Sequence, residues 1–324
     1  MTEPSPAPPA GPPDPDPLGP RARHIVDAQA AAFPELGPGT DVAQARRATS
    51  AADPDGPAVA SVTERRIPGP AGAPELPVRI YRPDGSPAPP VVVFLHGGGF
   101  VLCDLDTHDT MCRNLALGSG AVVVSVDYRR APEHRAPAAA EDAYAALCWA
   151  AAELAPAGPP AGRVAVAGDS AGGALAAAAC LLARERGGPM PAAQLLLYPS
   201  LDPRLETGSM RTYGEGFFVR AAHLRWYWQQ YLGSDVPPHR APPVAAPALA
   251  EDLSGLPPAR VLVPGCDPLA DEGRAFAARL PSAELDEVPG GFHGFLAFTK
   301  LLPEAADAME RCTGWLRERL ARTA

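Results

Sequence analysis

A chain of 324 residues with 46% hydrophobic side chains carries enough apolar material for one large core, and α/β folds of this length form single units. Its formal net charge of -9, with Lys300 as the only lysine, argues against nucleic acid or another polyanion as a partner. No apolar run reaches the roughly 18 residues that a membrane span requires.

Residues 1–20 contain nine prolines and read as a disordered or extended leader. They hold no Lys or Arg and no apolar segment of signal-peptide type, so the expected location is cytoplasmic. A helical pattern over Arg21–Phe33 breaks at Pro34 and again at Gly37-Pro38. Val78–Tyr81 reads as a short strand ahead of the turn Pro83-Asp84-Gly85. Val91–Leu95 (VVVFL) is a continuous apolar run, as expected of a strand buried on both faces. Val122–Val126, Val164–Ala167, Leu195–Tyr198 and Val261–Val263 repeat that signature. Between them lie helix-length segments at Asp109–Leu117, Ala138–Ala152, Gly172–Arg186 and Asp271–Leu280. The alternation predicts an α/β fold, with a mostly parallel sheet and helices on both of its faces. One stretch departs from it, Leu205–Asp235, with Phe217, Phe218, Trp226, Tyr227, Trp228 and Tyr231. This aromatic insertion suits a cap over the carboxyl ends of the strands; the alternative is an ordinary core helix. Cys103, Cys112, Cys148, Cys180, Cys266 and Cys312 form no CxxC pair and no zinc-type spacing, which fits reduced thiols in a cytosolic protein.

Gly168-Asp169-Ser170-Ala171-Gly172 lies between the strand Val164–Ala167 and the helix that follows. A serine on such a turn is thrust outward with its hydroxyl exposed, and the glycines are needed because side chains there would collide across the turn. The turn also aims helix N-terminal amides at the place where an oxyanion would form. His96-Gly97-Gly98-Gly99-Phe100 follows the strand Val91–Leu95. Three consecutive glycines cost conformational entropy, and their use is close approach of bare N–H groups to something small and negative. His96 reads as a residue that braces this loop.

A serine needs a base, and the base needs an acid to orient it. For a serine on such a turn, the acid and then the histidine follow later in the chain. His223 falls in the aromatic insertion and His239 in a proline-rich loop, so both are expected at the surface or in the cap. His293, in Gly290-Gly291-Phe292-His293-Gly294-Phe295 after the strand-like Glu284–Val288, is the expected base. Among Asp202, Asp267, Asp271 and Asp286, the choice is Asp267, at the end of the strand Val261–Val263. Asp271 is the runner-up; it falls in a first helical turn, where a carboxylate serves as a cap. Asp286 lies inside the last strand.

Taken together, HGGGF at 96–100, DLDTHD at 104–109, DYRRAPEH at 127–134, GDSAGG at 168–173, DPLADEG at 267–273 and HGF at 293–295 resemble the hormone-sensitive lipase family of α/β-hydrolases. The resemblance spans about 77–320 and is to the GDSAG branch, which includes bacterial carboxylesterases. It implies an α/β-hydrolase fold with Ser170 as nucleophile, Asp267 as acid and His293 as base. It further implies oxyanion donors from Gly98, Gly99 and Ala171, with His96 and Gly97 shaping the loop. It implies one domain over 21–324 with a cap from about 21–60 and 203–236, a small-molecule ester as substrate, and no metal or organic cofactor. A homodimer joined through the sheet edge would fit the family. Cys103 stands where the family has glycine, and Arg130 where it has leucine. A deacylase of a natural-product amide or ester would use the same groups, whereas a ligand-binding protein on this fold would lack a triad member.

Overall fold

The computed structural model describes residues 16–50, 56–85, 88–155 and 163–321. Among the described residues, eight strands, β1 (Ser61–Ile67), β2 (Leu76–Arg82), β3 (Val91–Leu95), β4 (Val122–Val126), β5 (Val164–Asp169), β6 (Ala193–Leu197), β7 (Ala259–Cys266) and β8 (Ala283–Phe292), form one sheet. Their order is β1-β2-β4-β3-β5-β6-β7-β8. β2 runs antiparallel to β1 and β4, and every other pair is parallel. This is the mostly parallel α/β sheet expected from the alternation of elements, in the α/β-hydrolase arrangement that the family resemblance implies.

Every residue of β3, β4 and β5 is buried because helices cover both sheet faces. In β3, Val91, Val93 and Leu95 enter one apolar cluster while Val92 and Phe94 enter the other. Helices α4 (Ala138–Glu153), α5 (Ala171–Arg186) and α8 (Ala270–Arg279) pack into the first cluster. The second takes α3 (Asp109–Ser119) and α9 (Pro303–Ala321). Each Val or Leu fully buried in this way stabilises the fold by about 1.5–3 kcal/mol. No described helix is long and apolar enough to cross a membrane.

Two segments lie outside this frame. The first carries α1 (Pro20–Ala32) and α2 (Val42–Thr49); the second carries α6 (Gly208–Tyr213) and α7 (Ala221–Leu232). They meet through Phe33 on Phe218, with ring centroids 5.5 Å apart, and through Arg220 paired with Glu35 at 2.5 Å.

Several boundaries differ from expectation. The leader read over 1–20 is corrected at its end, since Pro20 opens α1, Leu18 is buried and Asp16 pairs with Arg23 at 2.6 Å; residues 1–15 lie outside the described residues. Pro fits that first helical position because no N–H is needed there. β1, polar and exposed over Thr63–Arg66, was not foreseen; it is an edge strand that buries little beyond Ile67. β7 and β8 continue past Val263 and Val288, where the strands were expected to end, through Pro264-Gly265 and Pro289-Gly290. A bulge between Pro264 and Cys266 absorbs them, and by then β7 pairs only with β8.

Candidate active site

The carboxyl ends of four parallel strands converge on one point, which is where open α/β sheets place their ligands. β5 delivers Ser170 with φ 53° and ψ -119°, in a region that L-residues rarely occupy. The turn is fixed by Ser170 N–H donating to the Leu197 carbonyl at 2.8 Å and by Ser200 N–H donating to the Ser170 carbonyl at 3.0 Å. A Cβ on Gly168 would strike the Gly172 carbonyl across the turn, as expected. At Gly172 the reason is different: a Cβ there would be driven into the Leu95 carbonyl at the end of β3. The second glycine therefore lets α5 press against the neighbouring strand.

β7 and β8 supply the other two groups. Their final pair, Cys266 opposite Phe292, immediately precedes Asp267 and His293 and sets them side by side. Asp267 Oδ2 lies 2.8 Å from His293 Nδ1, and His293 Nε2 lies 2.9 Å from Ser170 Oγ. Asp267 is fully buried, and its second oxygen accepts the Leu269 N–H at 2.8 Å. The Tyr198 ring presses edge-on against the imidazole at 5.0 Å between centroids, limiting its rotation.

The remaining acid candidates are engaged elsewhere. Asp202 pairs with Arg204 at 2.6 Å, and Asp286 with Arg260 at 2.6 Å and Arg311 at 3.0 Å. Asp271 stands in the first turn of α8 but makes no capping hydrogen bond there; its Oδ2 accepts the Ser209 N–H at 2.7 Å, tying α8 to α6. Of the other histidines, His239 is exposed in a short 3-10 turn. His223 is buried on α7, within the aromatic insertion, where the expectation had been the surface or the cap.

The loop after β3 lies beside the serine because Leu95 is in register with Gly168. Gly98 and Gly99 have φ +98° and +61°, and among the described residues neither N–H finds an acceptor. Ala171 begins α5, so its N–H has no acceptor within the helix. A Cβ on Gly99 would enter the Tyr227 ring of α7, and Phe100 stacks on Tyr231 at 3.9 Å. The aromatic insertion thus clamps the glycine loop. His96 braces the loop from the other side: it stacks on Tyr128 at 4.3 Å, its carbonyl accepts the Tyr128 hydroxyl at 2.8 Å, and its Nδ1 contacts Gly97 O. Burial, then the neighbouring His108, pushes its pKa down to about 3, so it is neutral and unsuited to act as a base.

Asp169 is the functional residue that sequence reasoning passed over. Its Oδ1 accepts the Gly97 N–H at 2.8 Å and lies 3.2 Å from His108 Nε2. Burial pushes the Asp169 carboxyl upward, but the facing imidazoles, His108 first, outweigh it and leave the pKa below the ordinary aspartate value. The available signal was its position inside GDSAG, together with the histidine of DLDTHD. A cavity of about 270 Å³ opens over these groups, walled by the glycine loop, Met111, Leu296 and the aromatic residues of the two outlying segments.

Comparison with known proteins agrees with this architecture. Residues 92–297 match a family model described as alpha/beta hydrolase fold. The chain is 46% identical over 241 residues to the carboxylic ester hydrolase LipN of Mycobacterium tuberculosis, an alignment covering 71% of this chain and 64% of LipN. It is 38% identical over 234 residues to the ethyl acetate hydrolase of Pseudomonas putida, covering 71% of this chain and 73% of that protein. Among solved structures, an ester hydrolase from the Lake Arreo metagenome superposes with a TM-score of 0.84 at 37% identity, covering 94% of this chain and 99% of that one.

Proposed function

Because the chain belongs to the α/β-hydrolase family, in its hormone-sensitive lipase-like branch, we propose that it is a serine carboxylesterase acting on short to medium acyl esters through an acyl-enzyme. The observation that carries this reading is the unbroken chain Asp267–His293–Ser170, with links of 2.8 and 2.9 Å, set beside unspent backbone N–H groups.

The geometry suits the following course. Asp267 holds His293 with its proton on Nδ1, leaving Nε2 free to accept the Ser170 proton as Oγ attacks the ester carbonyl. Negative charge moves to the carbonyl oxygen, where Gly98, Gly99 and Ala171 can donate to it. His293 then passes its proton to the departing alkoxide, and water releases the acid by the same steps in reverse order. The cavity's apolar walls fit an alkyl chain of limited length, and the ethyl acetate hydrolase relative favours small esters.

The two outlying segments are read as the cap over this cavity. Unpaired cysteines, four of the six buried, support a reducing, cytoplasmic setting. A homodimer through a sheet edge belongs to the same reading; Leu285 on β8, 43% exposed, lies on one such edge.

The test is kcat/KM for p-nitrophenyl esters of two to twelve carbons, run beside N-acyl amides of matching length. Esters turned over faster than amides, with a maximum below about ten carbons, support the reading. Turnover of the amides alone replaces it with a deacylase, and turnover of neither with a binding protein.

A further inference from the structure

We infer that His223 forms a polar subsite in the cavity, selecting esters that carry a neutral hydrogen-bond acceptor, such as a ketone or ether oxygen, some distance from the scissile bond. This inference rests on the carboxylesterase reading above. His223 lies on α7, is buried, and borders the same cavity as Ser170. Its Nε2 is occupied from the side: the Arg220 guanidinium approaches it at 3.1 Å through Nε and 2.5 Å through Nη2, and Nη2 also donates to Glu35 at 2.5 Å. A guanidinium can only donate, so Nε2 must accept. Burial, then the adjacent Arg220 charge, lowers the His223 pKa to about 4, so the ring is neutral near pH 7 and its single proton sits on Nδ1.

That Nδ1–H has no partner among the described residues. Arg220 and Glu35 do not border the cavity, whereas His223 does, with Phe33, Phe218 and Leu224 among the other lining residues and the Phe33 ring 5.6 Å from the imidazole. The Arg220 contact therefore holds Nε2 and leaves Nδ1 as the nitrogen available to a bound substrate. The result is a donor without a protein partner in a cavity lined largely by apolar side chains, with Gln29 also on its border, and with its tautomer fixed by Arg220. Glu35 balances the Arg220 charge, so the subsite favours a neutral acceptor over an anion. A purely alkyl substrate would leave the donor unsatisfied, which a site built around a hydrogen bond penalises.

The experiment compares kcat/KM within two matched pairs. One pair is p-nitrophenyl hexanoate and p-nitrophenyl 5-oxohexanoate, and the other is hexyl acetate and 5-oxohexyl acetate. The first pair probes the acyl side and the second the alcohol side. Wild type should favour the oxo member of one pair by roughly 3- to 10-fold more than His223→Phe does, the span expected of one neutral hydrogen bond. His223→Asn, which keeps an N–H donor, should recover part of the preference. Equal preferences in wild type and His223→Phe for both pairs overturn the subsite and leave the esterase reading standing. Failure of wild type to turn over any of the four esters overturns both.

Discussion

The guanidinium of Arg130 donates a hydrogen bond to the carbonyl oxygen of Cys103, so the two residues that depart from the family pattern are in direct contact. Cys103 holds φ +63°, in the left-handed region where glycine is at ease, and its side chain lies against Gly98 and the cavity. The Arg130 clamp offers a reason that a cysteine is tolerated there. Non-glycine residues in this region cost about 1–2 kcal/mol, against a loss of about 0.5–1 kcal/mol from glycine's freedom in the unfolded chain.

Cys103→Gly should therefore change stability by no more than about 1.5 kcal/mol, while opening the cavity wall beside the glycine loop. We expect kcat/KM for long acyl esters to rise relative to short ones by about 10- to 200-fold. An equal fall across two- to ten-carbon esters would mean that Cys103 only packs beneath the loop. Arg130→Leu should be non-additive with Cys103→Gly, with a coupling of about 0.5 kcal/mol or more in urea unfolding.

Asp169→Ala should lower kcat by about 10- to 100-fold with little change in KM, the loss expected when one charge-assisted hydrogen bond is removed. The reason is that the Gly97 N–H bond holds the glycine loop, whose proposed oxyanion donors would act on charge that exists only in the transition state. Asp169→Asn, which keeps an acceptor, should fall between wild type and Ala. An effect confined to KM would contradict this role.

Asp267→Asn should cost about 10⁴-fold in kcat, because an amide cannot hold the imidazole in the working tautomer. Asp271→Asn should leave kcat within a few-fold and reduce stability, since its carboxylate ties α8 to α6 through Ser209. Reversed effects would move the acid to Asp271.

Glu272 is buried, with one oxygen accepting the Leu201 N–H at 2.6 Å and the other unpartnered. Burial raises its carboxyl well above the ordinary value of 4.5, with the charges of Asp202 and Asp267 adding to the rise. A folded pKa above the unfolded one gives stability that is fully present below the unfolded value and is lost as pH rises toward the folded one. Glu272→Gln, which cannot ionise, should match wild type in Tm near pH 4 and exceed it increasingly toward pH 8. A constant difference across that range would contradict the assignment.

The candidate site was legible in the sequence because Ser170, Asp267 and His293 each stand at the carboxyl end of a strand, beside glycines or a helix start. The buried strands announced themselves through unbroken apolar runs such as VVVFL. β1 did not, because an exposed edge strand buries almost nothing and so shows no pattern. α9 went unassigned although Ala305, Ala308, Met309, Cys312 and Leu316 recur at helical spacing on its buried face. Asp169 and His223 escaped for a different reason. Their roles depend on contacts with Gly97, 72 residues away, and with Glu35 through Arg220, 185 residues apart. No local spacing encodes such contacts.

The most direct test is treatment of the purified protein with a fluorophosphonate, followed by intact-mass measurement and peptide mapping. The expected result is one adduct per chain on Ser170, absent from Ser170→Ala, with ester hydrolysis falling in that variant by several orders of magnitude. An adduct on another residue, or substantial hydrolysis surviving in folded Ser170→Ala, would contradict the account.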